Sequence, residues 1–80
     1  MRSEDLTLQA YKQKFGALVS SAWYDLDSDN YVVVFQRGKG GRQLPMEVTD
    51  SEALGRLDAL TVERVAELLD ELERGDVYAA

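Results

Sequence analysis

The 80-residue sequence contains neither cysteine nor histidine. Without cysteine the chain forms no disulfide and no thiolate metal site, which fits a reducing compartment. Without histidine it has no Ser–His or Cys–His pair and lacks the usual general base near neutral pH. Carboxylates are plentiful, but no pattern selects a pair whose environments would separate their pKa values. The sequence therefore predicts a protein that is not an enzyme and that uses no cofactor or metal.

Long apolar runs are also missing. The longest strictly apolar segment is Tyr31–Phe35, far below the ~20 residues that a membrane helix needs. Glu4 and Asp5 interrupt the region where a signal peptide requires an apolar stretch. We therefore expect a soluble, cytoplasmic protein without a membrane partner.

The charge of the chain is acidic and unevenly distributed. The formal net charge is −6, which argues against general affinity for nucleic acid or anionic membrane. Residues 1–46 hold five acids and six bases, whereas residues 47–80 hold ten acids and three bases. The content of 45% hydrophobic and 30% charged residues is typical of a globular chain, and its length predicts a single domain over residues 1–80.

The order of the segments predicts an α+β fold. Three β-rich segments, at about 19–25, 31–37 and 43–48, are separated by turn formers and are typical of an antiparallel meander. The segment Met1–Phe15 is predicted as a weak helix from its helical spacing of apolar residues, although alternation between positions 6 and 10 also fits a strand. Two helices, at about 50–58 and 61–74, are predicted to pack on the sheet.

Capping signals place the two C-terminal helices. Thr49 and Glu52 match a capping box at the start of the first helix, and Thr61 and Gly75 bracket the second. The predicted apolar positions are Ala53, Leu54 and Leu57 on the first helix and Val62, Val65, Leu68, Leu69 and Leu72 on the second. The second helix has the clearest apolar stripe in the chain.

The central strand is apolar on both of its faces. Valines and aromatic residues occupy every position of Tyr31–Phe35, whereas an antiparallel strand with one wet face alternates. We expect the C-terminal helices to cover one face. The other face is predicted to be covered by the N-terminal segment, a second copy of the chain or a partner.

The acidic segment before that strand resembles the start of a calcium-binding loop. Asp25, Asp27 and Asp29 have the ligand spacing of an EF-hand, but Gln36 stands where a bidentate glutamate is required. Asp and Asn also form turns by bonding to their own backbone. The preferred prediction is a hairpin turn, and the alternative is a weak cation site.

The glycine-rich segment Arg37–Arg42 is a candidate anion or nucleic-acid contact. Its cations Arg37, Lys39 and Arg42 alternate with glycines whose backbone would allow a phosphate to approach. It does not match a P-loop and lacks aromatic residues between the bases. The preferred prediction is a flexible, charged hairpin tip.

Two further features are candidates for contact with another protein. Acidic residues line one flank of the last helix, namely Glu63, Glu67, Asp70 and Glu71. This flank is either a solvated face or a docking surface for a basic partner. Trp23 and Tyr24 are candidate hot-spot residues if they are exposed, although the preferred prediction places Trp23 in the core.

The leading functional hypothesis is a small acidic interaction module, such as an inhibitor, adaptor or accessory subunit. It would dock on a basic surface of a larger protein through the acidic C-terminal helix, with charge speeding encounter. Such size and acidity are also typical of phage- or plasmid-encoded inhibitors. The alternatives are an anion or nucleic-acid binder that uses the basic loop, and a homodimeric structural protein.

Overall fold

The computed structural model describes residues 3–75 and contains one three-stranded sheet with three α-helices. In chain order the elements are helix α1 (Ser3–Phe15), a 3-10 turn (Gly16–Leu18), strands β1 (Val19–Asp25), β2 (Asn30–Gln36) and β3 (Gln43–Thr49), and helices α2 (Ala53–Ala59) and α3 (Val62–Arg74). The strands pair antiparallel in the order β1-β2-β3. The predicted α+β meander is confirmed. None of the helices within residues 3–75 is both long and apolar enough to cross a membrane.

The N-terminal segment is a helix, as preferred over a strand, with Met1 outside the described residues. Tyr11 and Phe15 are buried on its inner side. The Tyr11 hydroxyl donates to the carbonyl oxygen of Ala53, which ties α1 to α2. The Phe15 ring meets Phe35 edge to face, with 5.1 Å between the ring centroids. The helical spacing therefore identified the residues that bury α1.

Strand β2 is the centre of the sheet and supplies most of the core. It runs from Asn30 to Gln36, one residue earlier than predicted. Tyr31, Val33 and Phe35 point to the helices and are each at most 1% exposed. Consecutive β-branched and aromatic residues favour this extended, buried conformation because they pack well on a pleated surface. The middle strand is thus held by both neighbours and by the helical layer.

All three helices lie on the same face of the sheet. One buried cluster joins Tyr11 and Phe15 of α1 with Tyr31, Val33 and Phe35 of β2, Val48 of β3, Ala53 of α2, and Val65 and Leu69 of α3. Of the three alternatives predicted for the second face, cover by the N-terminal segment is therefore wrong. Phe15 and Leu69 instead share one core on the first face, and the second face carries no helix.

Helix α2 begins three residues later than predicted because its capping box is only half formed. The Glu52 carboxylate accepts from the Thr49 hydroxyl at 3.0 Å and from the Thr49 backbone N–H at 3.4 Å. The Glu52 N–H bonds to the Thr49 carbonyl oxygen, so the chain makes a turn before α2 starts. Leu54, predicted on the apolar side, is 61% exposed. Because helix α2 is only seven residues long, it can bury only one of its turns.

Helix α3 ends at Arg74 as predicted and begins at Val62, one residue after the predicted start, with Thr61 as its predicted cap. The Thr61 hydroxyl accepts from the Arg64 backbone N–H at 3.0 Å, and Gly75 ends the helix in the left-handed conformation at φ 77°. Both caps satisfy backbone groups that a helix end leaves without partners. Val65 and Leu69 form the buried centre of the predicted apolar stripe. Val62, at the first position of the helix, is at its exposed edge.

Candidate docking surfaces

The acidic segment between β1 and β2 is a hairpin turn. The Asp25 carboxylate accepts from the backbone N–H of Asp27 at 3.0 Å, which is the self-bonded turn predicted from the sequence. Asp29 adopts the left-handed conformation at φ 59°. Strands flank the turn, so the helical context of an EF-hand is missing. Within residues 3–75 no group of three acidic side chains is arranged to hold a metal ion.

The same turn fixes the side chain of Tyr24. The Tyr24 hydroxyl donates to Asp29 Oδ1 at 3.0 Å, and its ring lies 4.9 Å from that of Tyr31. The hydrogen bond to the Asp29 carboxylate, with smaller contributions from burial and nearby acids, raises the pKa of Tyr24 to about 12. Tyr24 is therefore a neutral hydrogen-bond donor at physiological pH, and it belongs to the helical side of the sheet.

The basic loop between β2 and β3 lies against helix α3. Arg37 Nη2 is 3.2 Å from Asp70 Oδ1 and also donates to the carbonyl oxygen of Ala66 at 3.2 Å. The backbone N–H of Arg42 donates to Glu73 Oε1 at 2.7 Å. The fold thus brings together the basic loop and the acidic helix, which the sequence analysis treated as separate candidate sites.

Inside the loop, Gln36 holds the turn. Its side-chain amide donates to the carbonyl oxygen of Gly41 at 2.7 Å and to that of Lys39 at 3.2 Å. The Lys39 side chain stands at the exposed tip. An anion that approached Arg37 would meet the Asp70 carboxylate at the same place. The Asp70 carboxylate would therefore compete with an anion for Arg37, and the geometry does not add support to the anion-binding hypothesis.

Most of the acidic residues on α3 have a basic neighbour in the same chain. Arg64 pairs with Glu67 and lies 3.8 Å from Glu71, while Asp70 pairs with Arg37. Glu63 is exposed in the first turn of the helix. Exposed ion pairs contribute only about 0–1 kcal/mol each, and each pair cancels part of the field of its acid at long range. Helix α3 still carries five acids against two bases, which leaves it net negative. The role of these acids as a docking surface stays a prediction.

Gly41 is required where the loop meets α3. A Cβ at position 41 would overlap the carbonyl oxygen of Arg37 and would lie 3.2 Å from Glu73 Oε1. We expect Gly41→Ala to lower the free energy of unfolding by about 1–3 kcal/mol, the usual cost of forced overpacking. Thermal unfolding measures this loss, and a shifted Arg42 amide resonance reports the broken bond to Glu73.

The matched control is Gly40→Ala in the same loop. A Cβ at position 40 meets nothing within 4 Å, so its effect should stay within about 0.5 kcal/mol, as for other surface substitutions. Equal stability of the two variants would show that the chain does not make the close approach of Gly41 to the Arg37 carbonyl described for this loop.

The second face of the sheet is an uncovered surface, here called the open face. Its cross-strand rows are Asp25–Asn30–Thr49, Trp23–Val32–Glu47 and Ser21–Val34–Pro45. Trp23 is 47% exposed in the middle row of this surface, on the edge strand β1, so the prediction that Trp23 belongs to the core is wrong. Val34 is shielded by its neighbours to 8% exposure without any helix above it.

The charges on the open face have one sign. Asp25 and Glu47 carry carboxylates, and the Glu47 carboxylate accepts from the Asn30 amide at 2.9 Å. The three cross-strand rows contain no lysine or arginine. An apolar centre formed by Trp23, Val32 and Pro45 is therefore bordered by acids. Such a surface is complementary to an apolar group flanked by bases.

The predicted partner-binding residues fall on two opposite surfaces. Tyr24 faces the helices, and the acids of α3 belong to the helical layer, whereas Trp23 lies on the open face. The alternation of a strand puts adjacent residues on opposite faces, so Trp23 and Tyr24 cannot share one contact. Val32, Val34 and Pro45 were not predicted as contact residues. The apolar residues on both faces of β2 were a signal for Val32 and Val34, whereas Pro45 on β3 gave none.

Comparison of the chain with protein-family models, with curated proteins and with solved structures finds no match.

Proposed function

We propose that the protein is an interaction module, such as an inhibitor, adaptor or accessory subunit, that binds a larger protein through its open face. The observation that carries the proposal is the position of all three helices on one side of the sheet, which leaves Trp23 exposed among apolar neighbours. Tryptophan is enriched in binding hot spots because it buries a large area and keeps one hydrogen-bond donor.

The acids of the open face favour a basic partner over a second copy of the chain. Face-to-face stacking of two copies would bring Asp25 and Glu47 of each chain near the other's acids without a compensating base. Three strands of seven residues, at about 3.4 Å per residue and about 4.8 Å apart, give a face of roughly 340 Å² in projection. A stable interface buries about 800 Å² per partner, so in this proposal the contact also includes residues of this chain beyond the sheet face.

Helix α3 supports the same partner from a distance. Residues 47–80 hold ten acids and three bases, and a field of one sign attracts a basic surface before contact. Long-range attraction raises the association rate and is weakened by salt, whereas apolar contacts lower the dissociation rate. In this proposal α3 speeds encounter, and the open face retains the partner.

Site-specific photo-crosslinking in the native lysate tests which surface makes the contact. A photoreactive residue replaces Ser21 on the open face, Glu63 on α3, or Leu54 on α2 as an exposed control. We expect a discrete crosslinked protein from position 21, also when the lysate is irradiated at high salt, and none from position 54. A product from position 63 alone would move the contact to the acidic helix and contradict the open face.

The other functional predictions are not carried further. The basic loop has Asp70 beside Arg37, which gives no observation in favour of anion binding. Catalysis has no support from the sequence because histidine and cysteine are missing. A cytoplasmic location and a mobile-element origin stay predictions from composition.

A further inference from the structure

An apolar groove of about 230 Å³ lies between the edge strand β3 and the two C-terminal helices. Leu44 and Met46 of β3 form one wall, and Leu60 and Leu68 form the other. Leu44 and Met46 point to the helical side of the sheet, whereas Pro45, which also lines the groove, belongs to the open face, so the two surfaces meet at the edge of β3. A hydrophobic groove of this kind gains from any apolar group that displaces its water.

Arg56 is the one charged residue in the lining of the groove. It is exposed on α2, and no acid within residues 3–75 forms an ion pair with it. Glu52 stands four residues earlier on the chain, but its carboxylate is held by the Thr49 hydroxyl. The Arg56 stem can therefore lie along the apolar wall while its guanidinium remains free to bind an anion in water.

The groove is partly open to solvent, so its volume gives the length of apolar chain that it can cover. At about 30 Å³ for each water-sized group, a groove of 230 Å³ holds roughly eight such groups. Water itself is poorly held there because an ordered water needs about two to four polar partners. The size and the single cation together fit an unbranched chain of about eight carbons that ends in a carboxylate.

An extended peptide fits this site less well. Pro45 lies in the middle of β3, opposite Val34, and has no backbone N–H. A peptide strand that added to the free edge of β3 would lack that donor, which is how edge strands discourage such pairing. A ligand without a peptide backbone does not need the backbone N–H that Pro45 lacks.

We propose that the groove binds a medium-chain aliphatic carboxylate, with the tail between β3 and α3 and the carboxylate on Arg56. The groove shares only Pro45 with the open face, and Arg56 and its other lining residues lie away from that face, so this proposal does not rest on the protein partner proposed above. Binding is weak to moderate, with a dissociation constant in roughly the millimolar range or below for about ten non-hydrogen atoms.

NMR titration of the full chain with sodium octanoate tests the proposal. We expect saturable shifts of the methyl groups of Leu44, Met46 and Leu68, with Trp23 and Val32 unchanged. Arg56→Gln should weaken octanoate binding about tenfold, since one charge-assisted hydrogen-bond pair to a carboxylate is lost. The control Arg64→Gln removes the same charge outside the groove and should leave the affinity unchanged.

A second probe separates carboxylate recognition from nonspecific apolar binding. 1-Octanol has the same tail without the charge and should bind at least about fivefold more weakly than octanoate, because it cannot use Arg56 as an ion partner. No saturable shift in the groove, shifts centred on the open face, or equal loss in the Arg56 and Arg64 variants would each overturn the proposal. Because Arg56 is exposed, the Arg56→Gln variant should stay folded, so a weaker affinity for octanoate reports the loss of the carboxylate contact.

Discussion

Replacing Phe35 with alanine is expected to remove about 3–5 kcal/mol from the free energy of unfolding, the typical cost of deleting a buried phenylalanine side chain. Phe35 is 1% exposed, meets Phe15 edge to face, and lies in the middle strand where the helices converge. At about 0.05–0.15 kcal/mol per residue, a chain of 80 residues has a total stability of only about 4–12 kcal/mol. The Phe35→Ala variant therefore loses a large fraction of its free energy of unfolding.

Thermal and urea unfolding followed by circular dichroism measure this loss. Each kcal/mol lowers the midpoint of a domain this size by about 4–8 °C, so the midpoint should fall by at least about 12 °C. Val32→Ala is the control on the same strand, since Val32 faces the open side and is only half buried. A Phe35→Ala midpoint that falls no further than that of Val32→Ala would contradict the described core.

Trp23→Ala is expected to have the opposite profile, with a large loss of partner binding and a small loss of stability. Truncation of a hot-spot residue costs about 2 kcal/mol or more, which corresponds to roughly 30-fold in affinity. Because Trp23 is 47% exposed and no helix covers it, its removal should lower stability by about 1 kcal/mol or less.

The kinetics of binding separate the roles of the two surfaces. Trp23→Ala should act mainly on the dissociation rate, as most interface substitutions do. Glu63→Gln should act mainly on the association rate, and its effect should shrink as salt is added. Leu54→Ala is the control for an exposed apolar residue outside the open face. If Trp23→Ala binds the crosslinked partner as tightly as Leu54→Ala does, the open face is not the contact.

Local signals in the sequence predicted the elements well. Thr61 and Gly75 bracket α3 because a capping hydroxyl and a left-handed glycine act on neighbouring backbone groups. The valines of β2 likewise specify an extended strand within its own length. Helix α2 started later than predicted because the Thr49 hydroxyl bonds to the Glu52 side chain, which leaves the turn before the helix intact.

The positions of the surfaces could not be predicted in the same way. Strand alternation shows that Trp23 and Tyr24 face opposite sides, but it does not show which side the helices cover. The helices cover the face that carries Tyr24, Tyr31 and Phe35, where Tyr24 packs against Tyr31 and Phe15 packs against Phe35. Which face they cover depends on the packing of the whole helical layer. The contact of Arg37 with Asp70 joins residues far apart in the chain, and local patterns carry no information about such pairs.

The location of the single tryptophan gives the molecule an internal optical probe. Trp23 is the only indole in the chain and lies on the open face, where its emission reports contact with water. A protein that covers the open face would shift that emission to shorter wavelength and protect it from quenching by iodide. An aliphatic carboxylate in the groove beside Arg56 would leave the emission unchanged, so one unlabelled sample distinguishes occupancy of the two sides of the sheet.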